Sequence, residues 1–277
     1  MKYKIIADSC CDLTPGLKEK LGVTHVPLTL RLGSKEYFDD ERLDLDGFMS
    51  EMKVCKEKVG SAAPAPYCFQ EAIEKAKQAF VITISDKLSG SYNSAVAGKN
   101  SAQENGEVFA HVFDSKSAAA GEALIAVKLR ELIKLEMSRD NIIQTINQFI
   151  DDMKTYFLLE NYDNLQKNGR MSKVTGSLAT IFDIKLLMGL DGNGSIALIA
   201  KQRGINRAID KIISLIKESG RKTEGENIII SHCNNPDLAE RLTDTIRRLY
   251  NFKEIFVIPM KGLSSLYADD KGIVVAF

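Results

Sequence analysis

Hydroxyl and carboxyl side chains recur together at three points in the first half of the chain. Asp8-Ser9 follows the apolar run Lys4–Ala7. Ser85-Asp86 and then Leu88-Ser89-Gly90-Ser91 follow Phe80–Ile84, and Asp114-Ser115 follows Val108–Phe113. Each run has the length and composition of a buried strand. In a parallel sheet all three loops share the carboxyl rim, where open α/β sheets bind ligands. Hydroxyls there face helix N-termini, whose free N–H groups favour an anion. Serine and aspartate are also preferred N-cap residues. For Ser9 and Ser115 capping is the simpler reading. For Ser89 and Ser91 the intervening Gly90 permits close backbone approach, so capping and ligand contact stay equally open.

Other chemistry is sparse. There is no Walker A motif, no GxGxxG after a strand, no HExxH and no GxSxG. His25, His111 and His232 are scattered, and each reads as structural. Cys233, beside His232, reads as an inert, partly buried thiol. Asn168-Gly169-Arg170-Met171-Ser172-Lys173 lies where the two halves join. Lys201-Gln202-Arg203-Gly204 and Arg207 come later. These two stretches form either one basic face for a phosphate or acidic partner, or ordinary solvated charge.

The elements that must position these residues alternate strand with helix up to about residue 155. Helical patterns are expected near Thr14–Leu21, Asp44–Met52, Phe69–Ala79, Ser91–Gln103 and Ala118–Leu135. Ile142, Ile146, Phe149, Ile150 and Met153 mark one more by their spacing. Val23–Leu32 reads as one extended run, and the Pro-rich stretch Ser61–Pro66 as a break before a helix. This alternation implies βαβ crossovers and a mostly parallel sheet. Later, Ile184–Leu190 and Ser195–Ala200 flank Asp191-Gly192-Asn193-Gly194, a strong hairpin signal. Helical stripes (Ile209, Ile212, Ile213, Ile216; Leu238, Leu242, Ile246, Leu249) and short strands complete a mixed sheet with helices. The fold class is therefore α/β, with two tightly packed domains over 1–155 and 156–277.

The 277 residues carry 37 Lys plus Arg and 37 Asp plus Glu, a net charge of zero. That balance argues against a broad nucleic-acid surface. No apolar run reaches the about 18 residues that a membrane span needs, which limits any membrane contact to a transient one at the surface. The N-terminus meets an acid after three apolar residues, unlike a signal peptide. Five cysteines without a CxxC argue against a disulfide framework or zinc knuckle. A cytoplasmic location is expected, with neither metal nor cofactor.

In order and spacing, Asp8-Ser9-Cys10-Cys11-Asp12-Leu13, Ser61–Pro66, Ile84–Ala95, Phe113-Asp114-Ser115 and Leu165–Ser172 together resemble the DegV family, from Tyr3 to Phe277. That family is similar to the fatty acid-binding subunit of bacterial fatty acid kinase. The resemblance implies a binding protein, not a catalyst, that holds one fatty acid in a tunnel between two α/β domains. By motif position, Ser61 and Ser89 would hold the carboxylate. Arg170 and Arg203 would belong to the surface where a kinase subunit docks. The family's C-terminal histidine, in a Gly-x-His-x-Gly-x-Gly setting, is absent: the chain reads Lys261-Gly262-Leu263-Ser264-Ser265-Leu266-Tyr267-Ala268 there, and Ser264 or Ser265 is the expected substitute. Ala62 and Ala63 stand where the family's Pro-loop has a second hydroxyl and a Gln. These departures imply that acyl-chain binding is retained better than presentation for phosphorylation. A binding protein for another amphipathic acid, and a hydrolase or phosphotransferase using Ser89, are the competing readings.

Overall fold

The computed structural model describes residues 3–171 and 183–277. β1 (Lys4–Asp8) leads through α1 (Pro15–Leu21) to β2 (Val23–Val26). Thr14 caps α1 by accepting a hydrogen bond from the Leu17 N–H (3.3 Å), Pro15 opens it, and Gly22 ends it at φ +61°. β3 (Thr29–Leu32), β4 (Lys35–Phe38), α2 (Leu45–Val54) and β5 (Val59–Ala62) follow. Then come α3 (Pro66–Ala76), β6 (Gln78–Thr83), α4 (Ser91–Asn105), β7 (Phe109–Asp114), α5 (Ala120–Lys134) and α6 (Arg139–Asp152). The second half runs β8 (Thr155–Leu158), α7 (Asp163–Lys167), β9 (Ile184–Leu190), β10 (Ile196–Arg203), α8 (Ile205–Glu218) and β11 (Asn227–His232). It closes with α9 (Pro236–Leu249), β12 (Glu254–Pro259), α10 (Gly262–Ala268) and β13 (Ile273–Ala276).

Among the described residues the strands form three sheets. The first, in the order β2-β1-β6-β7, is parallel throughout, so its three Ser/Asp loops do share one rim. The second, in the order β10-β9-β8-β13-β11-β12, is mixed: β11 and β12 run parallel and the remaining pairs antiparallel. A small antiparallel sheet, β4-β3-β5, stands apart from both.

α5 is the layer between the two large sheets. It packs on β1 and β6 of one and on β11 and β13 of the other. Twelve of its fifteen residues are buried, as expected of a helix apolar on nearly every side. Ile5 and Phe80, Leu124 of α5, and Ile229 and Ala276 of the second sheet belong to one continuous core. Each buried Leu or Ile there contributes about 1.5–3 kcal/mol.

Four expectations change. The extended run Val23–Leu32 is two strands in different sheets, divided at Pro27, which has no N–H to donate to a ladder. β4 is short and polar and carries no apolar alternation. β5 begins ahead of the Pro-rich break and includes Ser61. α10, absent from the sequence reading, buries six of its seven residues and so lacks an amphipathic stripe.

Candidate functional site

The rim of the parallel sheet is built around Asp8. Its fully buried carboxylate accepts from the Cys10 N–H (3.1 Å), the Ile84 N–H (3.0 Å) and the Ser91 hydroxyl (2.5 Å). Burial raises its pKa, opposed by these donors. Neighbouring Glu122 is pushed well up by burial and by the charge of Asp8, which favours its protonated form. Ser91 is thus spent inside the protein. Ser89, two residues earlier, lines a cavity while its oxygen accepts from the Ser91 N–H (3.2 Å) at the start of α4. Ser9 and Ser115 cap no helix. The Ser9 hydroxyl accepts from the Leu28 N–H (3.0 Å), and Ser115 is bonded to the Ser117 backbone through both its N–H and its C=O. Both brace loops.

The β9–β10 turn docks on this rim. The Ser85 hydroxyl donates to the Gly194 carbonyl (2.8 Å). Gly194 sits at φ +82°, and a Cβ there would lie 2.3 Å from Ser85 Oγ, so this contact requires glycine.

Between the rim, the small sheet and the second half runs a cavity with about 750 Å³ of atom-free space, counting its mouth. Leu28, Ile84, Phe157, Leu165, Ile196 and Leu263 represent its apolar wall. Three of its polar side chains, Ser61, Tyr267 and Arg170, are in contact with one another through Tyr267. The Ser61 hydroxyl is 3.0 Å from the Tyr267 hydroxyl. The Arg170 guanidinium lies 6.0 Å from the centre of the Tyr267 ring, and its Nε donates to the carbonyl of Leu88, next to Ser89 (3.1 Å). Ser264 is one helical turn before Tyr267 on α10. A mainly apolar cavity that also carries hydroxyl donors and a guanidinium fits an amphipathic anion.

Carboxylates from the first half fix α10. Asp39 accepts from the Gly262 and Leu263 N–H groups (3.0 Å each), and Asp12 from the Lys261 N–H (2.9 Å). At Gly262 a Cβ would approach Asp39 Oδ1 to 2.5 Å, so glycine allows the close bond. The Asn164 side chain donates to the Leu266 carbonyl (2.8 Å), holding the other end. Burial raises the pKa of Asp39 and brings that of Asp12 up to about 7.

The model of the DegV family matches residues 2–277. This chain belongs to the DegV family. A DegV domain-containing protein of Streptococcus pyogenes serotype M1 is 34% identical over 280 residues, spanning 100% of this chain and 99% of that protein. A DegV family protein from Ruminococcus gnavus, solved with vaccenic acid, superposes with a TM-score of 0.95 at 33% identity and full coverage of both chains. The Streptococcus pneumoniae fatty acid kinase B3 protein, loaded with linoleic acid, gives 0.89 at 32% identity, covering 100% of this chain and 99% of that one.

In this member of the DegV family, Ser61, Ser89, Arg170 and Ser264 line the cavity, whereas Ser265 and Arg203 are not among the described lining residues. Ser264 and Ser265 are both buried, and their hydroxyls face the Asp12 carboxylate and the Cys233 thiol, whose pKa values they lower. Arg203 and Arg207 are exposed, Arg203 at the end of β10. Ser172 and Lys173 of the basic stretch lie outside the described residues. The histidines sit elsewhere: burial lowers His25 to about 3, His111 packs on Phe113, and His232 Nδ1 accepts from the Asn235 N–H (3.3 Å). The Cys233 thiol is pushed up to about 11 by burial. Tyr267 is the cavity residue that sequence reasoning missed. Its signal was the i, i+3 spacing from Ser264, readable only once that segment is known to be helical. Among the described residues no His, Cys, Asp and Glu group could hold a metal ion, and no helix is long and apolar enough to cross a membrane.

Proposed function

We propose that this chain is a cytoplasmic binding protein that holds one long-chain fatty acid in the cavity, its carboxylate hydrogen-bonded by Ser61 and Ser89. The observation that carries this reading is a mainly apolar cavity that holds the bonded hydroxyl pair Ser61 and Tyr267, with Arg170 over the Tyr267 ring. Burying a 16-carbon tail at about 0.8 kcal/mol per CH₂ supplies about 12 kcal/mol of gross transfer free energy. The head-group bonds, at about 1.5–3 kcal/mol each, fix its direction. Relatives solved with vaccenic and linoleic acid support the same reading. Mass spectrometry of a solvent extract of the purified protein tests it, together with displacement of a fluorescent fatty acid by oleic acid. Absence of both a co-purifying fatty acid and saturable displacement would remove it.

A Ser89 nucleophile is disfavoured, because no His or Lys stands among the described lining residues to act as its base. A covalent Ser89 adduct in the same mass spectrum would restore the hydrolase.

The likeness to the kinase B3 protein supports a further role, delivery of the bound lipid to a kinase subunit. Arg170, at the cavity, and Arg203, exposed on β10, are the docking residues we propose, since arginine suits phosphate recognition. Arg203→Ala is expected to keep its lipid and lose salt-sensitive association with a fatty acid kinase subunit, read by co-sedimentation. Loss of the lipid itself would overturn the docking role.

A further inference from the structure

We propose that Tyr267 is a head-group residue of this cavity, donating a hydrogen bond to the ligand carboxylate in concert with Ser61; this rests on the fatty acid reading above. The two hydroxyl oxygens are 3.0 Å apart, and both residues line the cavity. In such a pair one hydroxyl donates to the other, whose acceptor role is thereby filled and whose own proton is free to donate onward. The onward bond is strengthened by the first and by the charge of its acceptor. Ser61 and Tyr267 therefore present a single two-hydroxyl donor rather than two separate contacts. The ring does a second job. Arg170 lies over it at 6.0 Å, within reach of a cation–π interaction, so Tyr267 places a positive charge beside the same point.

The backbone beneath Tyr267 is held at both ends. Asp39 and Asp12 bind the first N–H groups of α10, and Asn164 binds the carbonyl of Leu266, the residue before Tyr267. A phenol on a fixed helix loses only two torsions on ordering. Ser264, one turn earlier, is buried and faces the Asp12 carboxylate rather than Ser61. In the segment where the family resemblance expects a histidine, Tyr267 has the contact with Ser61.

The test compares oleic acid with methyl oleate on the unaltered chain and on Tyr267→Phe. A purely structural tyrosine affects both ligands alike. A donor to the carboxylate affects the acid more, because its bond is charge-assisted. The expected result is about 10-fold weaker oleic acid binding in Tyr267→Phe with methyl oleate changed less than about 2-fold. Equal changes for the two ligands, or no change for either, would overturn the inference. Oleic acid binding to the unaltered chain, measured first, separates this failure from that of the fatty acid reading. Should Tyr267→Phe not fold, 3-fluorotyrosine placed at position 267 alone reports the same contact by ¹⁹F NMR. A resonance shift larger with oleic acid than with methyl oleate supports the donor, and equal shifts refute it.

Discussion

Two regions converge on the cavity and are anchored differently. The rim around Ser89 is braced from within the first half: Asp8 gathers the Cys10 and Ile84 N–H groups and the Ser91 hydroxyl, all supplied by residues 10–91. α10 is braced from across the molecule. Asp39 is 223 positions from Gly262, and Asp12 is 249 from Lys261. The Asp8 cluster thus needs only the parallel sheet, while Gly194 and Arg170 bond to its loop from the second half. α10 is in place only when the two halves have closed on each other. A buried carboxylate beneath backbone donors is the same device in both places, but in one it shapes a loop and in the other it ties residues 12 and 39 to residues 261–263.

The largest way to break this comparison is Asp39→Ala. It leaves the Gly262 and Leu263 N–H groups buried without acceptors, at a cost of about 2–4 kcal/mol. Urea denaturation should show that loss, and oleic acid binding should fall with it because Ser264 and Tyr267 move with α10. Full stability with unchanged binding would mean that α10 does not depend on the first half.

Asp12→Asn sharpens the same point through pH. Asp12 titrates near 7 in the fold against 3.8 for the ordinary group. A pKa raised by folding means that the fold favours the protonated acid. Its contribution is present below about pH 4 and is lost as pH rises through 7. The full linkage is about 4 kcal/mol, and local relaxation reduces the expected difference to about 1–3 kcal/mol. Asn keeps an acceptor for the Lys261 N–H. The variant should therefore gain stability relative to the unaltered chain as pH rises from 4 to 7, then hold a constant difference. A constant difference across that whole range would refute the buried-acid account.

The smallest effect on stability belongs to the two proposed head-group hydroxyls, Ser89 on the rim and Ser61 on β5. Ser89→Ala and Ser61→Ala should each weaken oleic acid binding about 10–100-fold, with stability lowered by only about 1 kcal/mol, because inside the protein Ser89 accepts the Ser91 N–H and Ser61 pairs with Tyr267. Titration with a fluorescent fatty acid decides it, and unchanged affinity in both would remove the head-group assignment.

The rim was legible because it is a repeated local pattern. Three apolar runs each end in Asp or Ser, and a parallel sheet is the simplest arrangement of strands alternating with helices. The hairpin was legible from Asp191-Gly192-Asn193-Gly194, whose Asp191 oxygen accepts from the Asn193 and Ser195 N–H groups. α10 was illegible for the opposite reason. Gly262-Leu263-Ser264-Ser265-Leu266 has no polar face because almost every side of it is covered, and its capping groups lie in another part of the chain. The pairing of Ser61 with Tyr267, 206 positions apart, is likewise tertiary. The small sheet was lost because β4 is polar and β5 runs into the prolines.

The anchoring of α10 sets an order of events during synthesis. Residues 4–114 hold the complete parallel sheet, so this half can gather as the nascent chain emerges. The cavity then has a rim but no opposing side. Only after residues 260–268 leave the ribosome do Asp12 and Asp39 find their N–H partners and does Tyr267 meet Ser61. An interrupted translation product therefore carries the family's serine signatures without a usable site, and ligand capture marks a chain synthesised at least through α10.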